Sequence, residues 1–255
     1  GENDGHYYFA MEFVSGKTLA EILYGKGKIG ERTSLNIARQ VAQALSHANR
    51  FSIIHRDVKP ENIIISSDGV VKLCDLGLAK DRSKDFSLAR EGITLGTAYY
   101  VSPEQASGRK DLDIRTDIYS LGISLFHMLT GELPFDDPDS MKVVQKHISE
   151  KIPNVQERAP EISAETAKLV QKMTEKTPEE RYQAPESLVH DIENILQGRL
   201  PTFGMKEKEK RTEKSTTSML TRKKKAPFFP KKYVYAALAG AVFVALTMAL
   251  LFSLR

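Results

Sequence analysis

Residues 233–254 run for 22 positions without one charged side chain. A charge-free stretch of that length can hide its surface as a helix across a hydrocarbon core of about 30 Å, or as a helix buried on all sides in a protein core. Its flank favours the membrane. Arg222, Lys223, Lys224, Lys225, Lys231 and Lys232 precede it, and Tyr233 and Tyr235 open it, where interfacial aromatic rings belong. It is too long and too far toward the C-terminus to be the core of a signal peptide. The sequence therefore predicts a single-pass transmembrane helix over 233–254, with the N-terminal body on the cytoplasmic side. Ala237, Ala241 and Ala245 lie at helical spacing within it, a small-residue stripe compatible with either a homodimer contact or a lipid-facing surface.

Composition bounds the rest. A chain of 255 residues leaves room for one sizeable domain plus appendages. With 41% apolar and 27% charged residues it is too apolar for a disordered chain and too polar for a polytopic membrane protein. Sixteen glycines and eleven prolines exclude a collagen-like or low-complexity chain. A single cysteine, Cys74, excludes an intrachain disulfide framework and any Cys-rich zinc site. The net charge of +4 hides an asymmetry: residues 206–232 hold eleven Lys or Arg against three Glu, a local +8, so the remainder sums to −4. A basic run leading directly into an apolar span reads as a juxtamembrane linker rather than a nucleic-acid surface. The expected organisation is a folded body over 1–200, a basic linker over 201–232 and the membrane helix over 233–254.

Periodicity makes the body mostly helical. Apolar residues at 37, 38, 41, 44, 45 and 48 repeat with the spacing of one buried helix face. Ser67-Asp68-Gly69 reads as a turn between the apolar run ending at Ile65 and the alternating Val70-Val71-Lys72-Leu73, which predicts two paired strands. Residues 118–129 form an almost wholly apolar helix, ended by Gly131 and Pro134. Two amphipathic helices follow near 163–174 and 185–197, the second with Pro185 in its first turn and Gly198 past its end. At the start, residues 7–14 look like a strand with no preceding partner strand. The chain opens on Gly1 rather than Met and stops at Arg255, one residue beyond the predicted span, so both ends are expected to be cuts in a longer protein.

The residues with chemistry to offer lie on either side of that turn. His55-Arg56-Asp57-Val58-Lys59-Pro60-Glu61-Asn62 is followed, thirteen residues after Asn62, by Asp75-Leu76-Gly77. Phosphoryl transfer needs a carboxylate to orient a hydroxyl, hard oxygen ligands for magnesium and a cation against the developing phosphate charge. Asp57 and Lys59 are two apart, so an extended loop points both side chains to one side. Asn62 and Asp75 supply oxygen donors that magnesium accepts, and the turn would bring them close.

These motifs resemble the catalytic loop and metal-binding motif of the eukaryotic-like Ser/Thr protein kinases, in the bacterial transmembrane branch of that family. The resemblance implies an α+β, protein-kinase-like fold with a predominantly helical C-lobe and a remnant N-lobe strand. It implies Asp57 as catalytic base, Lys59 as the cation on the transferring phosphate, and Asn62 and Asp75 as magnesium ligands. Gly96-Thr97-Ala98-Tyr99-Tyr100-Val101-Ser102-Pro103-Glu104 resembles the end of an activation segment, with Ser102 where Ala is more usual. There the family implies that Thr97 bonds the catalytic Asp and Lys, and that Glu104 forms a buried ion pair with Arg181. Asp117 matches the residue that anchors the catalytic-loop backbone. The implied ATP site has Met11 as gatekeeper, the main chain of Glu12 and Val14 on adenine, Ile64 as floor, and Lys59, Asn62 and Asp75 toward the phosphates. Cys74 would border it as a small buried hydrophobe. Arg56 before Asp57 implies control by activation-segment phosphorylation, with Ser83, Ser87 and Thr94 as acceptors. The remaining histidines, at 6, 47, 127, 147 and 190, lack metal-ligand spacing and are expected at the surface or in core packing.

The same resemblance exposes a departure. No Gly-x-Gly-x-x-Gly lid over ATP is expected anywhere in this chain, nor the strand Lys and the helix Glu of the family. The family function is ATP-dependent transfer to protein Ser or Thr hydroxyls, and the chain alone is expected to be nearly inactive. A pseudokinase scaffold docking partners at the inner membrane face is the alternative, disfavoured by the intact Asp57, Lys59, Asn62 and Asp75. A small-molecule phosphotransferase is disfavoured by the 96–104 segment.

Overall fold

A computed structural model describes residues 1–3, 6–8, 12–75 and 95–203 of the chain. The chain divides into Gly1–Lys206, which holds all of these, and Glu207–Arg255. The predicted membrane helix, the predicted linker beyond residue 203, Met11, Leu76, Gly77 and the acceptors Ser83, Ser87 and Thr94 lie outside the described residues. Among those described, no helix is long and apolar enough to cross a membrane.

The N-terminal region is strand-poor. Strand β1 (Glu2–Asn3) pairs antiparallel with β2 (His6–Tyr7), so the first aromatic stretch does have a partner, and the described residues 12–15 are not strand. Strand β3 (Lys17–Thr18) leads directly into α1 (Leu19–Lys26), where Thr18 and Glu21 form a reciprocal capping box that satisfies two otherwise unpaired donors. One stretch does carry the glycine spacing of a phosphate loop: Gly25-Lys26-Gly27-Lys28-Ile29-Gly30. It joins α1 to α2 (Glu31–Arg50) instead of bridging two strands, and Ile29 N–H bonds the Met128 carbonyl at 2.7 Å, so it closes against the core.

Helix α2 extends the predicted periodicity by a turn at its N-terminal side and buries Leu35, Ile37, Ala38, Val41, Ala42 and Leu45 along one face. The polar loop after it ends in a 3-10 turn, Pro60–Asn62, and enters β4 (Ile63–Ile65). Strand β5 (Val71–Leu73) returns antiparallel with Ile64 opposite Lys72, as the Ser67-Asp68-Gly69 turn predicts, and β3 pairs on the other edge of β4. Gln40 on α2 sets this turn: its Nε2 donates to the Gly69 carbonyl at 3.2 Å and its Oε1 accepts the Val71 N–H at 3.0 Å.

The short helices α3 (Leu95–Ala98) and α4 (Pro103–Ala106) precede α5 (Ile114–Thr130), which is buried nearly all round. Asp113 caps its start, and Gly131 ends it in the left-handed region at φ 74°, where L side chains are strained. Helices α6 (Ser140–Ser149), α7 (Val155–Arg158), α8 (Ala164–Met173) and α9 (Pro185–Leu196) complete the body. The main core joins α2, α5, α8 and α9 through residues such as Leu45, Ile118, Leu125, Leu169 and Ile192. Fully burying each such side chain is worth about 1.5–3 kcal/mol. This is the expected predominantly helical α+β body.

Candidate active site

The site begins with a buried carboxylate on α5. Asp117 is fully buried in the first turn of that helix, where the macrodipole favours an acid. Its Oδ2 accepts the His55 N–H at 2.8 Å and its Oδ1 the Arg56 N–H at 2.7 Å. Burial pushes this carboxyl up to about 7, against the two backbone donors that pull it down. Two further clamps act on the same loop. The Gln105 amide on α4 donates to the Arg56 carbonyl at 2.8 Å, and His55 Nε2 bonds the Cys74 carbonyl at 2.9 Å. A carbonyl only accepts, so Nε2 carries the imidazole proton and Nδ1 is left to accept the Asp57 N–H at 3.3 Å. Arg56 is held at φ 65°, a left-handed conformation that a non-glycine residue keeps only when its surroundings impose it.

This clamped backbone presents a compact polar cluster. Lys59 Nζ lies 3.1 Å from Asp57 Oδ2 and donates to Thr97 Oγ1 at 3.0 Å, so Lys59 ties the loop to α3. Asn62 Nδ2 donates to the Asp57 carbonyl at 2.8 Å and to Asp57 Oδ2 at 3.1 Å. Its amide nitrogen is thereby committed to Asp57, and its Oδ1 is the end left for a cation. The Asn62 carbonyl accepts the Cys74 N–H at 2.8 Å, which continues the β4–β5 ladder and sets exposed Asp75 next to it at φ 55°. The donor set fits magnesium, which takes one or two carboxylates together with substrate phosphates. Among the described residues no cluster of three or more His, Cys, Asp or Glu could hold a metal by itself.

The expected adenine side is only partly on view. Ile64 is half-buried on β4 opposite Lys72, and Lys72 ion-pairs with the Glu12 carboxylate. The segment holding Glu12 and half-buried Val14 is thus tied to the strand pair that follows the catalytic loop. Cys74 is half-buried, and burial with neighbouring Asp75 pushes its thiol up, which disfavours the reactive thiolate.

Behind the cluster, Glu104 and Arg181 form the anticipated buried pair at 2.7 and 2.8 Å. Burial alone would raise the Glu104 carboxyl, but the hydrogen bonds and charge of Arg181 overcome it and hold it below its ordinary range. Arg181 also donates to the carbonyls of Glu175, Arg115 and Lys176, and Thr116 donates to Glu104. Ser102 is fully buried and caps α4 in a capping box with Gln105, whose amide holds Arg56. Sequence reasoning missed Gln40 and Gln105, because a lone glutamine carries no local pattern.

Residues 1–192 match the family described as the protein kinase domain. The chain is 41% identical over 212 residues to the probable serine/threonine-protein kinase CPE1738 of Clostridium perfringens, covering 82% of this chain and 30% of that protein. It is 36% identical over 196 residues to the serine/threonine-protein kinase PrkC of Bacillus subtilis, covering 77% and 30%. With the serine/threonine-protein kinase PknB of Mycobacterium leprae it shares 37% identity over 194 residues, covering 76% and 31%. The chain therefore spans about 30% of the length of these curated relatives. Motif order, cluster geometry and this match agree: the chain belongs to the protein kinase domain family, among relatives that are bacterial serine/threonine-protein kinases.

Proposed function

We propose that this chain carries the peptide and metal half of a Ser/Thr protein kinase that transfers the γ-phosphoryl group of ATP to protein Ser or Thr hydroxyls. The observation that carries the reading is the Asp57–Lys59–Thr97–Asn62 cluster on a backbone held by Asp117. In the reaction the substrate hydroxyl oxygen bonds the γ-phosphorus, the bond to the ADP oxygen breaks, and Asp57 accepts the hydroxyl proton. Lys59, beside that carboxylate, would face the phosphoryl oxygens, with Thr97 fixing its direction. Magnesium, when bound, would neutralise phosphate charge, and Asn62 and Asp75 are the residues to hold it. The main chain of Glu12 and Val14, with Met11 and Ile64, would receive adenine.

Two further parts of the reading rest on sequence. Residues 233–254 would anchor the protein as a single span with the kinase body cytoplasmic, and the alanine stripe would serve a homodimer. No lysine precedes Lys17, so the 255 residues lack the strand Lys that pairs on the phosphates, and the chain alone should transfer little phosphate. The test is incorporation of label from γ-labelled ATP into a Ser/Thr peptide library, by this chain alone and by the same chain fused to a complete kinase N-lobe. The fusion should be active and its Asp57→Asn variant slower by about 10²–10⁴-fold. Undiminished transfer by the variant would refute the assignment.

A further inference from the structure

Helix α6 carries a histidine that the cluster above does not use. His147 is fully buried, with its ring edge-on to Phe135 at 5.1 Å and to Tyr119 at 5.8 Å. Its two ring nitrogens have different partners. Nε2 lies 3.0 Å from the Tyr99 carbonyl, 48 positions away in sequence, and Nδ1 lies 2.9 Å from the Tyr119 hydroxyl. The carbonyl cannot donate, so Nε2 carries the proton and Nδ1 must accept from Tyr119. The Tyr119 oxygen in turn accepts from Lys176 Nζ at 3.1 Å, and that ammonium also bonds the His147 carbonyl at 2.9 Å. Every donor in this chain points the same way: Lys176 to Tyr119, Tyr119 to His147, His147 to Tyr99.

The receiving end is what gives the chain a purpose. Tyr99 lies two residues after Thr97, whose hydroxyl takes the Lys59 ammonium, and Tyr100 N–H closes back on the Thr97 carbonyl at 3.3 Å. The main chain here belongs to the 96–104 segment, which resembles the end of an activation segment and, on the kinase reading, forms the shelf for the substrate peptide. A cation at one end of aligned hydrogen bonds polarises each in turn and strengthens the last one. Burial holds the imidazole neutral, at about 3, with Lys176 acting in the same direction; burial and the Arg181 charge also lower the Lys176 ammonium to about 8, so the cation heads the chain below that pH.

We propose that His147 is a positioning residue for the peptide shelf: through the Tyr99 carbonyl it fixes the main chain that carries Thr97, and so couples α6 to the Asp57–Lys59 cluster. The shelf's role rests on the kinase reading, but the placement itself does not.

Two measurements on the full chain test the placement without any activity. Ring nitrogen NMR should find His147 neutral with its proton on Nε2 from about pH 5 to about pH 8. A proton on Nδ1, or titration within that interval, would overturn the proposal. Hydrogen exchange should show the amides of 98–101 opening about tenfold faster in His147→Phe, which keeps the aromatic packing but leaves the Tyr99 carbonyl and the Tyr119 hydroxyl unpaired, with α5 loosening much less. His147→Gln, which restores a donor, should recover most of the protection. Unchanged exchange in the Phe variant, or equal loosening of α5, would sink the idea. In the active fusion, His147→Phe should raise KM for peptide about tenfold while leaving KM for ATP in place. A wild-type fusion without activity would fell the kinase reading and leave the tautomer and exchange results to decide this one.

Discussion

Arg181 shows how much one residue can hold. Its side chain is withdrawn from water, and its donors go to a carboxylate and three carbonyls spread over two stretches of chain. Arg181→Met should cost about 3–5 kcal/mol, because it strands the Glu104 charge in the interior. Adding Glu104→Gln removes that charge, so urea denaturation of the double variant should show far less than the summed loss. Ser102, unusual at its position in the family motif, is explained at the same scale. Its hydroxyl accepts the Gln105 N–H at 3.3 Å, and Gln105 Oε1 accepts from both the Ser102 N–H and hydroxyl at 3.2 Å. Ser102→Ala should lose about 1 kcal/mol of stability, read by thermal melting.

Among elements, the approach of α5 to α8 is set by a missing side chain. A Cβ on Gly122 would sit 2.8 Å from Met173 Cβ and Thr174 Cγ2, so Gly122→Ala should destabilise by about 1–3 kcal/mol through overpacking. Gly25, in the last turn of α1, has open space around its would-be Cβ. Gly25→Ala should therefore stabilise by about 0.5–1 kcal/mol through helix propensity alone. Denaturant titration of the two variants separates packing from propensity, since the same substitution is expected to act with opposite sign. The apolar repeat of α5 gave no warning of this difference, because every residue near Gly122 reads as core whether or not a neighbouring helix touches it.

For the whole molecule, two buried carboxylates should tilt stability with pH in opposite directions. Glu104 titrates below its ordinary value in the fold, so its stabilisation is present above that ordinary value and lost as pH falls through the depressed one. Asp117 is raised from 3.8 to about 7, so its contribution is full below the lower figure and declines as pH rises through the higher. Melting curves should show the deficit of Glu104→Gln shrinking in acid and the deficit of Asp117→Asn shrinking toward alkaline pH. Much of this molecule was legible beforehand. Helical repeats fixed α2, α5, α8 and α9, and the Ser67-Asp68-Gly69 turn set the β4–β5 pairing, because periodicity and turn chemistry are local. The octapeptide at 55–62 carried its own chemistry, and Asp57, Lys59 and Asn62 meet within a few residues of chain. Contacts across long separations were decided by packing alone: Gln105 on Arg56, His147 on Tyr99, and the glycine-spaced 25–30 loop becoming a helix connection. A hydrogen bond spanning 48 positions leaves no trace in the spacing of its partners, since its geometry exists only after the helices between them have closed on a common core.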